Sequence, residues 1–116
     1  MEKSKIVYLS GAITGCHNHK EIFERAEMFV SANMGHIAIN PTRLDEISNE
    51  PLTYDQYMAI CYRLIDISDA VFMVSGWRSS RGANAELTYA KTLGKEVIYQ
   101  DYFHQFRKER TENVEG

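Results

Sequence analysis

The chain has 116 residues and a formal charge of −3, with 13 Lys and Arg against 16 Asp and Glu, and is 44% hydrophobic and 25% charged. That length suits one domain with a single core, and the acidic balance gives no general attraction to nucleic acid or to an anionic membrane surface. No apolar run approaches the roughly 20 residues needed to cross a bilayer, no signal-peptide pattern opens the chain, and Cys16 and Cys61 show neither CxxC nor metal-ligand spacing, so a cytoplasmic, reducing setting without a metal is expected.

In chain order, Ile6, Val7, Tyr8 and Leu9 form a short β-branched and aromatic run ending at Ser10 and Gly11, which predicts a first strand. Gly11 and Gly15 flank a flexible loop. Asn18, with Glu21 three residues later, predicts a capping box. The helix it opens runs over about 19–33, with Ile22, Phe23, Ala26, Phe29 and Val30 as its apolar stripe. Gly35 suits a left-handed cap. Residues 36–39 predict a second strand, stopped by Asn40 and Pro41 because proline cannot continue a central ladder. The polar connection over 42–52 is where a mobile loop over a site is expected. Thr53 with Gln56 predicts a second capping box, and Tyr57, Ile60, Cys61, Leu64 and Ile65 the apolar face of a second helix ending near residue 67.

The stretch 69–86 organises the rest. Residues 70–74 are apolar, too few for a helix, and bounded by Asp69 and Ser75, so a buried parallel strand is predicted. Ala83, Leu87, Ala90 and Leu93 then recur at helical spacing, with Gly94 as the stop. A strand-loop-helix junction of this kind presents backbone N–H groups and the positive end of a helix dipole at the carboxyl edge of a sheet, where open α/β folds bind ligands. Ser79, Ser80, Arg81 and Gly82 stand there to meet an anion such as a 5′-phosphate, and Glu86 should lean back toward the same crevice. Residues 96–99 predict a fourth strand. Alternating strands and helices imply a three-layer α/β domain of flavodoxin-like or Rossmann-like type, a parallel sheet of four to five strands over residues 1–101. Residues 102–116 form a polar tail that Tyr102, Phe103 and Phe106 could dock.

Four stretches, 7–15, 39–41, 68–77 and 80–90, together resemble the nucleoside 2-deoxyribosyltransferase-like family. The resemblance implies that Glu86 is the nucleophile attacking C1′ of a deoxyribonucleoside, that Asp69 assists at the base or sugar, and that Tyr8 and the loop after the first strand, with Ser10, Gly11 and Ile13, face the glycosidic bond. Asn40, Pro41, Gly76 and Trp77 fall in the matching stretches and are expected to line the substrate site. The family completes its pocket with C-terminal residues of a neighbouring subunit, an element with which the charged tail here cannot be aligned. Homo-oligomers, a small nucleoside or nucleotide ligand and no cofactor are expected.

The chemistry is physically sound: breaking an N-glycosidic bond builds oxocarbenium character at C1′, which a carboxylate beneath the sugar stabilises or traps as an ester. Retaining glycosidases hold two carboxyl groups about 5 Å apart, the buried one serving as acid. Each residue also has a structural alternative. Glu86 could complement a helix dipole, Asp69 could terminate the preceding helix, Tyr8 could be a core aromatic, Trp77 could pack rather than stack on a base, and the Ser-rich turn could be solvated. The four histidines lack paired-ligand spacing. A non-catalytic nucleotide sensor and a glycohydrolase acting on NAD are the competing functions.

Overall fold

A computed structural model describes residues 3–47 and 49–100. Its strands are β1 (Ile6–Ser10), β2 (Ile37–Ile39), β3 (Ala70–Met73) and β4 (Glu96–Tyr99), and its α-helices α1 (His19–Met28), α2 (Tyr54–Asp66) and α3 (Arg81–Thr92). The four strands lie in the order β2-β1-β3-β4 and every pairing is parallel. The expected α/β architecture is therefore present. The tail over 102–116 lies outside the described residues, and with it the expected docking of Tyr102, Phe103 and Phe106.

Alternation along each strand sorts side chains to opposite faces of the sheet. Val7, Leu9, Ala70 and Phe72 meet Phe23, Ala26 and Val30 on the α1 side. Tyr8, Val71 and Met73 meet Cys61, Ile65, Ala83, Leu87 and Ala90 on the α2 and α3 side. Strand order reverses at β1, so the first connection covers one face and the later helices the other. The carboxyl ends of β1 and β3 thus flank the point of reversal, where open α/β sheets bind ligands.

Local chemistry sets most boundaries. Thr53 and Gln56 form the expected reciprocal capping box on α2, and Gly35 and Gly94 take left-handed φ of 71° and 72°. The Asn18 box does not form. Asn18 has φ −106° and ψ 25°, outside the extended region a side-chain cap needs, and makes no side-chain cap bond. Its Oδ1 accepts from Cys16 Sγ, and Glu21 instead pairs with Arg25 at 2.6 Å. The predicted first helix is α1 continued by a π-helical turn, Phe29–Asn33.

The connection expected to be a mobile loop begins as a 3₁₀ helix, Pro41–Glu46, with proline in its first turn and the Asn40 side chain accepting from Thr42 N–H. Three further bonds pin this segment to α1: Asn40 Nδ2 and the Arg43 guanidinium both donate to Glu27 Oε1, at 3.0 and 2.9 Å, and Arg43 also donates to Oε2 at 3.1 Å. Among the described residues no helix is long and apolar enough to cross a membrane.

Candidate active site

Tyr8 and Ser10 share a parity on β1, so both face α2 and α3, with Ser10 at the strand's carboxyl end. Ser80 caps α3, its Oγ accepting from Ala83 N–H at 3.1 Å. One turn further on, Glu86 falls within the helix's buried stripe beside Ala83, Leu87 and Ala90. A carboxylate is thereby driven into an apolar layer and is only 4% exposed. Tyr8 Oη donates to Glu86 Oε2 at 2.8 Å, and Ser10 Oγ donates to Oε1 at 2.6 Å. Among the described residues no ion pair involves it.

Burying an unpaired carboxylate costs several kcal/mol after relaxation, on the order of 3–5, and two short hydroxyl bonds offset part of that. The balance still opposes charge. Burial pushes the Glu86 pKa up, while hydrogen bonds from Ser10, Tyr8 and the Cys61 thiol pull the other way. Burial, then Glu86 itself, raises Tyr8 well above the usual phenol range, so its O–H remains a donor. Burial and the same carboxylate push the Cys61 thiol up to about 12, which leaves it neutral and poorly nucleophilic. Tyr57, one turn before Cys61 on α2, is also raised, by burial and then by Cys61 and Glu86.

The structure brings Glu86, Tyr8 and Ser10 together, but not Asp69. Asp69 stands at the amino end of β3, where its Oδ2 accepts from Ile6 N–H at 2.8 Å and its own N–H donates to the Ile6 carbonyl at 2.8 Å. It clips the start of β1 to β3, at the edge of the sheet opposite the one Ser10 occupies. The carboxylate pair that retaining glycosidases hold about 5 Å apart is therefore not made by these two residues.

Trp77 is buried between Arg78, whose guanidinium is 4.7 Å from its ring centre, and Tyr99 at 5.8 Å. Its ring packs against the protein. Gly76 adopts φ 92° just before it. Gly11 is required for close approach: a Cβ there would lie 2.9 Å from Val74 Cβ and 3.2 Å from Phe23. Ile13 packs on the α1 side, and Asn40 and buried Pro41 build the 3₁₀ turn. Ser79 Oγ donates back to the Gly76 carbonyl at 3.2 Å. Arg81 lies 5.2 Å over the Tyr54 ring, beside Gly82, which lies under Met58.

Arg81, Tyr54, Met58, Tyr62 and Ala85 line a groove of about 360 Å³ between the amino-terminal turns of α2 and α3, and Glu86 is not on its wall. Three residues escaped the sequence reading. Tyr57 and Cys61 lie at i and i+4 of an apolar stripe, which made them look like core. Asn84, two residues before Glu86, uses its amide to donate to the carbonyls of Ser80, Arg78 and Trp77 at 2.8, 3.1 and 3.5 Å. Its only advance signal was an asparagine in a helical first turn next to a loop.

The family described as Domain of unknown function (DUF4406) matches residues 5–99. No curated protein matches significantly. Among solved structures, a 2-desoxiribosyltransferase from Leishmania mexicana is similar at TM-score 0.60 and 18% identity, over 82% of this chain and 63% of that one. The likeness is one of fold, and this chain spans less than two thirds of that protein's length.

Proposed function

Starting from the fact that the chain belongs to the DUF4406 family, we propose that it cleaves or transfers the N-glycosidic bond of a nucleoside or nucleoside 5′-monophosphate, with Glu86 as nucleophile. The observation that carries this reading is a carboxylate buried without a cation and held by two hydroxyls at 2.6 and 2.8 Å. Structural carboxylates that are buried are normally paired with a cation. A carboxylate kept unpaired beside the ligand-binding edge of a doubly wound sheet is the kind of perturbed group that marks reaction sites.

Each Glu86 oxygen accepts a hydrogen bond from one hydroxyl. One oxygen attacks C1′, the C1′–N bond breaks, and the base leaves with the electron pair and takes up a proton. The resulting glycosyl ester is opened by water or by a second base, which restores the carboxylate. Tyr8 and Ser10 orient Glu86 and favour its ionised form against the burial that opposes it. The amino end of α3, with Ser79, Ser80, Arg81 and Gly82, would receive a 5′-phosphate. This reading gives Asp69 and Trp77 no chemical role. It includes association of copies of the chain, since among the described residues β2 and β4 each pair on one side only.

The direct test incubates the protein with the deoxyribonucleosides and their monophosphates, with and without an acceptor base, and follows base release. Release by wild type, its loss in Glu86→Gln, and a deoxyribosyl adduct on Glu86 by mass spectrometry are expected. Absence of release, or an unchanged rate in Glu86→Gln, would overturn it. A nucleotide sensor without turnover is the second reading, favoured by the near-complete burial of Glu86 and its absence from the groove wall. Calorimetric binding of a nucleotide that is never cleaved would establish it.

A further inference from the structure

Buried polar groups in folded proteins nearly always find a hydrogen-bond partner, and one without a partner carries its full desolvation penalty. Among the described residues three buried side-chain atoms have none: His19 Nε2, Tyr57 Oη and Trp77 Nε1. Tyr57 is the one whose electrostatic neighbours include Glu86. Its hydroxyl senses Cys61 on its own helix, Glu86 on α3 and Asp45 in the 3₁₀ segment, yet bonds none of them. The Cys61 thiol, the nearest of these by sequence, lies close enough to influence it, but sulfur is a weak hydrogen-bond partner. Burial and those three neighbours keep the phenol protonated, so it can always donate.

We propose that Tyr57 contacts the substrate of the Glu86 site, its O–H donating to a sugar oxygen of the bound nucleoside. The inference rests on the reading that Glu86 engages C1′. A ligand so placed brings the sugar ring and its hydroxyls nearest to the carboxylate's neighbours, and those oxygens are acceptors. Tyr57 is then held ready in the free protein at a cost to stability, and the missing bond forms when the sugar arrives. Orphaned donors arranged in advance around a reacting centre are a general means of favouring bound substrate over water.

Tyr57→Phe removes only the hydroxyl and separates two effects. Thermal unfolding of wild type and variant is followed with and without each of the four deoxyribonucleoside 5′-monophosphates, together with KM and kcat for base release. The free variant should melt at the wild-type temperature or above, because an unsatisfied group has been deleted. Its affinity for the nucleotides should fall by about tenfold, the effect of one lost hydrogen bond in a dry site, and KM should rise in parallel. A wild type that responds to nucleotide alongside a variant that responds equally overturns this inference and leaves the proposed function standing. A variant that melts lower or fails to fold also overturns it, because the hydroxyl would then have a structural partner. A wild type that neither binds nor cleaves any of the four overturns both.

Discussion

Replacing Tyr8 with phenylalanine deletes the 2.8 Å bond to Glu86 Oε2 and little else, because the ring is fully buried and the change is nearly isosteric. Where Glu86 is ionised, the lost bond is charge-assisted and costs roughly 1.5–3 kcal/mol. For a domain of this size that lowers Tm by roughly 6–24 °C. At a pH where Glu86 is protonated, the same bond is neutral and its loss costs about 0.5–1.5 kcal/mol. Urea and thermal unfolding at pH 7 and pH 4, run on Tyr8→Phe, Glu86→Gln and the double variant, measure both quantities. Non-additivity well beyond the ~0.3–0.5 kcal/mol scatter of independent sites is expected. Because removing the bond also takes away one of the forces holding Glu86 ionised, the acidic limb of any pH–rate profile should move to higher pH. An equal loss of stability at both pH values, with the two substitutions additive, would refute the account of Tyr8 as a support for the carboxylate's charge.

Three further outcomes follow from the same geometry. Burial raises the folded-state pKa of Glu86 above 4.5, so its contribution to stability is fully present below about pH 4.5 and is lost as pH rises through the folded value. Glu86→Gln should remove that decline and melt above wild type at neutral pH, and a variant curve parallel to wild type from pH 4 to pH 8 would contradict it. Asp69→Ala should cost about 1 kcal/mol through the freed Ile6 N–H while kcat per folded molecule stays unchanged; a selective loss of kcat would return Asp69 to the chemistry. Gly11→Ala should cost about 1–3 kcal/mol, since its Cβ would meet Val74 Cβ at 2.9 Å, and denaturant midpoints at or above the wild-type value would exclude this packing argument.

The short runs 6–9, 70–74 and 96–99 were readable as strands because each is too short for a helix and is bounded by polar residues. Thr53 with Gln56, and the glycines at 35 and 94, were readable because capping is decided within a few residues. Asn18 shows the limit of that logic: the same residue types stand at the same spacing, but the turn entering α1 sets a backbone angle that no local pattern records. The site was legible where one helix carries it, as with Glu86 and Ser80. It was not legible where partners are joined by topology alone. Asp69 meets Ile6 across 63 residues of chain, and only the sheet register decides that it lies at the amino edge. Tyr57 and Cys61 fit an apolar stripe so well that nothing in the sequence separates a polar head held near a carboxylate from ordinary core.

The Asn84 amide ties three successive stations of the segment entering α3 to the helix's first turn. The segment that follows Gly76 and the first turn of α3 are thereby held as one hydrogen-bonded unit. Two residues beyond Asn84, the same helix places the carboxylate of Glu86 against Ser10 at the end of β1. One asparagine side chain therefore joins the shape of the loop to the footing of the Glu86 carboxylate. Substitutions in that loop thus bear on the carboxylate without touching it.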